Sequence, residues 1–382
     1  MACKTVLEAI DALNEEYLDI LEDLCNIESP TANKAAVDKV TEYIVAWAEK
    51  LGLDVDVRPM EKAGNPACIT LNPESTAASV VLSGHIDTVH PLGLFGTPAV
   101  HRDEEFMYGP GVLDCKGGVV AAMLAIEALQ KSGFTARPVK LIVQTDEETS
   151  SITSDKKTIE YMIEKSQGAA AFLNCEGCVD YKAVLYRKGI VRFRLHVHGK
   201  AVHSSVCYEG ANAVAEAAHK ILKLEEMKDT EGLTCNCAVI AGGTVANTVA
   251  AECNFLVDIR FASEEQYQQA LKTVQEVAEN STIPGCTCDV ENVSYRPAME
   301  LVDRNVALYE RINAIYADNG VHAITKNMSR GGSDAAYTTR AGIPTIDSLG
   351  TDGSGTHSVR EKIKMSSLAE SAKRLATVAA EL

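Results

Sequence analysis

Four short polar clusters hold side chains able to bind a metal ion or move a proton: SGHIDTV (83–89), GPGVLDCKGG (109–118), QTDEETSS (144–151) and GSGTHSVREK (353–362). A fifth, FLNCEGC (172–178), contributes Glu176. Each follows a predicted strand or lies in a glycine-rich loop. In open α/β sheets the carboxyl ends of the strands face the ligand crevice, so all five clusters could meet in one place.

Each cluster has a plain structural alternative. His85 and Asp87 stand two residues apart, so an extended backbone points them to the same side. One could ligate while the other orients it; alternatively they are a polar loop with a satisfied histidine. Asp114 lies among glycines that let the backbone approach an ion, and it would serve equally as a helix N-cap. Asp146, Glu147 and Glu148 repel one another unless cations or solvent compensate. Adjacent side chains on an extended chain diverge, so one glutamate could ligate while the other faces the cleft as general base. A solvated acidic loop is the alternative. His357 sits in a glycine-rich turn with Glu361 four residues on. Two histidines and three carboxylates, without thiolate, suit a catalytic divalent centre better than a structural one. Two ions sharing a carboxylate would activate water for amide hydrolysis.

The chain has 382 residues and a net charge of −17, which argues against a nucleic-acid binder, since that needs a basic face. A hydrophobic fraction of 46% argues against disorder. No apolar run approaches the roughly 20 residues of a membrane span, and the start reads as an acidic amphipathic helix. A cytoplasmic location is therefore expected, with the 12 cysteines reduced. The C-x-x-C at 175/178 lacks a second pair, and C-x-C at 235/237 and 286/288 reads as packing on strands, so cysteine ligation is not expected.

Alternating strands and helices up to about residue 182 predict an α/β sheet covered on both faces. Strands are expected at 53–58, 67–71, 79–83, 139–145 and 169–173, and helices at 33–51, 116–132 and 155–166. The texture then changes. VRFRLHVHG (191–199) alternates strictly, with Val191, Phe193, Leu195 and Val197 on one face. The order β-α-β-β-α-β follows to about 295, a ferredoxin-like arrangement. Helices near 303–319, 333–341 and 361–380 and a strand at 343–347 return to the first texture. The expected domains are 1–185, an inserted 186–296, and 297–382.

These motifs, in this order and spacing, resemble the two-zinc amidohydrolase–exopeptidase family that includes acetylornithine deacetylase, succinyl-diaminopimelate desuccinylase, aminoacylase, tripeptidase and glutamate carboxypeptidase. GGSDAAYTTRAGIPTIDSLG (331–350) and SYRPAME (294–300) look most like the glutamate carboxypeptidase branch. The resemblance implies a catalytic domain with a mixed central sheet flanked by helices, and an inserted α+β lid that also dimerises. It implies two Zn2+, with Co2+ or Mn2+ possible: His85 and Glu176 on one ion, Glu148 and His357 on the other, Asp114 bridging. Glu147 would be the general base and Asp87 would orient His85. The Asp114–Cys115 peptide would be cis, with Cys115 an unusual residue there that could make the site sensitive to oxidation. GKAVHSS (199–205) resembles the segment whose histidine, here His203, stabilises the oxyanion from a partner subunit. Asn247, Arg260 and Arg296 resemble residues that hold a substrate carboxylate, and Gly331 and Gly332 would wall the pocket. The expected substrate is a small peptide or N-acyl amino acid with a free carboxylate, cleaved by a homodimer. N-acyl amino acid deacylase or di/tripeptidase activity is the alternative within the family, and a non-catalytic binding protein on the same fold is the remote one.

Overall fold

The computed structural model describes residues 2–229 and 232–382, so Met1 of the expected first helix lies outside it. The chain divides into two compact units. The first comprises Met1–Leu185, Leu301–Met328 and Tyr337–Leu382. The second comprises Tyr186–Glu300 and Ser329–Ala336.

The first unit is built on a six-stranded sheet in the order Asp54–Val57, Ala67–Leu71, Val139–Gln144, Val80–His85, Ala171–Asn174, Thr345–Ile346. Val80–His85 runs parallel to both its neighbours, and Thr345–Ile346 is parallel to Ala171–Asn174. Ala67–Leu71 pairs antiparallel with Asp54–Val57 and with Val139–Gln144, which makes the sheet mixed. Ala67–Leu71 and Val80–His85 are buried along their whole length. This explains why they read as continuous apolar runs: helices cover both faces.

Helix Lys116–Lys131 is buried from Lys116 through Leu129 and packs against helices Ala2–Asn26 and Ser366–Glu381. Its small residues permit that embedding. A Cβ on Gly118 would collide with the Cys175 carbonyl, so only glycine lets this helix start close to the strand end that precedes Glu176.

One expected element is displaced. Helix formation was expected from residue 361, but the helix begins at Ser366. Lys362–Lys364 is instead a strand in a small sheet ordered Gly353–Ser354, Lys362–Lys364, Phe106–Tyr108, His101–Arg102. Strands of two or three residues carry too little periodicity to separate from loop or helix start. All twelve cysteines carry free thiols. Among the described residues no helix is long and apolar enough to cross a membrane.

The second unit holds a four-stranded sheet in the order Thr234–Gly242, Glu252–Phe261, Gly189–His198, Thr287–Arg296, with helices Ala213–Glu225 and Glu264–Glu279. In chain order this is the ferredoxin-like β-α-β-β-α-β arrangement. Val191, Phe193, Leu195 and Val197 face a core with Phe255, Val257, Ala217, Leu224, Ala270 and Val274. The opposite face carries ion pairs, Arg192–Asp258 at 2.7 Å and Arg194–Glu291 at 3.0 Å. Leu195 is completely buried. Leu195→Ala should therefore cost about 2–5 kcal/mol through the cavity it leaves. Arg194→Ala, on the solvated face, should cost no more than about 1 kcal/mol. Urea titration of the two variants checks the difference.

Candidate metal centre

The five clusters do converge, and each is placed by the end of a core element. His85 ends strand Val80–His85. Asp114 precedes helix Lys116–Lys131, Glu147 and Glu148 open a short turn after Val139–Gln144, and Glu176 follows Ala171–Asn174. His357 lies in the glycine-rich loop before Lys362–Lys364, with a left-handed φ of 60°.

Asp114 is the hub. Its Oδ1 is 2.9 Å from His85 Nε2, and its Oδ2 is 3.2 Å from His357 Nε2. His357 Nε2 is also 3.3 Å from Glu148 Oε2, and His85 Nε2 is 3.6 Å from Glu176 Oε1. One carboxylate thus presents an oxygen to each of two His/Glu pairs. Ligand atoms of His85, Asp114 and Glu148 lie within 4.8 Å of one another, as do those of His85, Cys115 and Glu176. The Cys115 thiol is turned to the Cys175 carbonyl at 3.2 Å. The Asp114–Cys115 peptide is cis.

Asp87 does more than orient His85. His85 Nδ1 is 3.0 Å from the Asp87 backbone carbonyl and 3.4 Å from its Oδ1. The Asp87 carboxylate accepts the peptide N–H groups of Glu147 (3.1 Å) and Glu148 (3.2 Å) and the hydroxyl of Thr31 (2.7 Å). Asp87 therefore sets the histidine chiefly through its backbone carbonyl and both glutamates through its fully buried carboxylate. Asp146, the third acid of that run, points away: it accepts from Thr158 Oγ1 at 2.6 Å and Ser154 N–H at 2.9 Å.

The electrostatics describe a centre short of positive charge. Burial, aided by Asp114 and Glu147, outweighs the His357 contact and pushes the Glu148 carboxyl up to about 7. Burial and Asp114 hold Glu176 well above the usual carboxylate range. Hydrogen bonds to Asp114 and Glu148 raise His357 to about 10. Burial opposes charge on His85, but its bonds to Asp114 and Asp87 win and hold its pKa well above the ordinary value. Burial likewise opposes charge on Asp114, yet His357 and His85 draw its pKa down. Imidazole and carboxylate donors that compete for protons in this way fit hard-to-borderline divalent cations.

Sequence reasoning missed two buried residues beside the centre. Glu361 Oε1 accepts the peptide N–H groups of Leu113 and Asp114, and its Oε2 meets His90 Nε2 at 3.2 Å. The four-residue spacing from His357 was visible, but its partners lie about 250 residues back in the chain, beyond any local pattern.

The expected substrate residues fall into two groups on the second unit's sheet. Strand pairing continues past His198, with Gly199 bonded to Ala251, Val202 to Val249, and His203 bridged to Thr248. Ser204 donates to the Asn247 carbonyl at 2.9 Å, so His203 and Asn247 are neighbours. His203 Nδ1 is 2.8 Å from Ser205 Oγ, which fixes the exposed ring. Arg260 and Arg296 flank Ile190 at the other end of the sheet. A Cβ on Gly332 would meet Arg296 Cδ at 2.8 Å, and Gly331 offers its carbonyl to Arg187 at 3.5 Å. Arg260 is bonded to Asp258 at 2.7 Å, and Arg296 lies 3.8 Å from Asp334. From Glu252 to Arg260 alone the strand spans roughly 27 Å. His203 with Asn247, and the arginines with Gly331 and Gly332, therefore cannot border one small ligand on the same copy of this unit.

The chain is similar to known proteins over most of its length. Carboxypeptidase G2 of Pseudomonas sp. (strain RS-16) is 27% identical over 350 residues, 88% of this chain and 82% of its own. Acetylornithine deacetylase of Erwinia tasmaniensis is 25% identical over 64% of this chain and 67% of its own. A tripeptidase structure from Staphylococcus aureus superposes with a TM-score of 0.78 at 21% identity, covering 96% of this chain and 97% of the other. Residues 81–381, which carry every donor described above, match the profile of peptidase family M20/M25/M40, and the chain belongs to that family.

Proposed function

We propose that the chain is a metal-dependent exopeptidase of the carboxypeptidase type, with two Zn2+ held by His85, Asp114, Glu148, Glu176 and His357. The observation that carries this reading is the divided Asp114 carboxylate, with one oxygen toward His85 and the other toward His357. Two divalent ions at such a centre supply an activated water and polarise the scissile carbonyl. Glu147 takes the proton of the attacking water and returns it to the leaving nitrogen. Asp87 anchors the backbone of Glu147 and Glu148 by accepting both of their peptide N–H groups.

His203 donates a hydrogen bond to the developing oxyanion, and Arg260 grips the substrate carboxylate with its guanidinium fork. Arg296, Gly331 and Gly332 shape that pocket, and Asn247 accompanies His203. Since the two groups lie at opposite ends of one sheet, we assign His203 and Asn247 to the site of a second copy. The edge strand Thr234–Gly242 supports a homodimer through this unit: it exposes Val239 and Ile240, and among the described residues it pairs with a strand on one side, Glu252–Phe261.

The substrate is a small peptide or N-acyl amino acid with a free carboxylate. A zinc-loaded preparation assayed on peptides ending in Glu, on dipeptides and tripeptides, and on N-acetyl amino acids should be fastest on the peptides ending in Glu. Fastest turnover of N-acetyl amino acids would move the assignment to deacylase, the second reading, which the likeness to acetylornithine deacetylase favours. Turnover of none would remove the catalytic reading.

A further inference from the structure

We infer that Glu361 is a positioning residue for Asp114 and sets how tightly the centre holds its ions; this rests on the reading of Asp114 as the shared ligand. Glu361 is 1% exposed. Its Oε1 accepts two consecutive peptide N–H groups, from Leu113 at 2.9 Å and Asp114 at 3.0 Å. Its Oε2 lies 3.2 Å from His90 Nε2, and its own backbone carbonyl accepts the Gly109 N–H at 3.3 Å. His90 is itself buried, and its ring meets Phe95 edge-on at 4.9 Å. One carboxylate thus ties together the 88–96 loop, the turn that carries Asp114, and the segment that carries His357.

The physical consequence is specific. Asp114 bridges only if its backbone points one oxygen to each side, and among the described residues Glu361 Oε1 is the acceptor for both the Leu113 and the Asp114 N–H groups. A carboxylate accepting both is a charge-assisted anchor, stronger than a neutral one. Its negative charge, buried behind Asp114, also favours cations in the centre. Both effects act through Asp114 rather than on substrate.

The test measures zinc affinity by competition with a chromophoric chelator, kcat and KM at saturating zinc, and the melting temperature without metal. Glu361→Ala removes charge and acceptor, and should weaken zinc binding about 10- to 100-fold, as loss of an outer partner typically does. Its kcat should fall at saturating zinc while KM changes little. Glu361→Gln keeps an acceptor oxygen and should recover part of both losses. His90→Gln, which leaves the two N–H bonds intact, should be the mildest. If Glu361→Ala does not fold, Glu361→Gln and His90→Gln carry the comparison. Wild-type zinc affinity in Glu361→Gln and Glu361→Ala overturns the inference. So does a loss that is equal in the two and tracks a fall in metal-free melting temperature. Asp114→Asn in the same titration separates the premises: if it too binds zinc like wild type, the reading of Asp114 fails first. If Asp114→Asn loses zinc and the Glu361 variants do not, only the inference fails.

Discussion

Glu147→Gln should lower kcat by about 10²- to 10⁴-fold, the range for a positioned general base, and leave metal content unchanged. Glutamine keeps the shape of the side chain and the peptide N–H bond to Asp87 at 3.1 Å, so the turn is retained. It cannot take a proton from water. The loss corresponds to about 3–5 kcal/mol of transition-state stabilisation. Glu148→Gln is the instructive contrast. Glu148 lies 3.3 Å from His357 and shares a donor group with His85 and Asp114, so its loss should appear first as weaker metal binding. Adjacent carboxylates with separable defects, read by metal analysis and initial rates, would establish the division of labour. An active Glu147→Gln enzyme would sink it.

His203→Ala should reduce kcat by about 10²- to 10³-fold, as removal of one oxyanion donor does, with unchanged metal content and stability. The ring is exposed and held at 2.8 Å by Ser205, so its truncation leaves no cavity. Its placement gives a second readout. If His203 serves the site of another copy, mixing His203→Ala with Glu147→Gln chains produces one heterodimer site with both groups intact. Activity should then rise well above that of either variant alone. No recovery after verified subunit exchange would place His203 in its own site, or outside catalysis.

The sequence carried the centre well and the connections poorly. His85, Asp87, Asp114, Glu147, Glu148, Glu176 and His357 were legible because strand ends concentrate chemistry, and each sits within a few residues of a strong apolar run or a glycine turn. The alternation of Val191 to Val197 made the second sheet's buried face readable. Glu361 was seen only as a neighbour of His357, because its hydrogen bonds join segments far apart in the chain. Lys362–Lys364 reads in the sequence as part of the last helix, because three residues cannot display a period; only its pairing with Gly353–Ser354 and Phe106–Tyr108 defines it. Family resemblance supplied roles for His203, Asn247, Arg260 and Arg296 together. It took strand register to show that the first two and the last two lie at opposite ends of one sheet.

The claim at the centre of this account is that five side chains hold two divalent ions about one shared carboxylate. Crystals of the zinc-loaded protein, measured on either side of the zinc absorption edge, test it most directly. The account predicts two anomalous peaks about 3.5–4 Å apart, one bounded by His85, Asp114 and Glu176, the other by His357, Asp114 and Glu148. A single peak, or peaks that leave Asp114 without a contact to both, would contradict it.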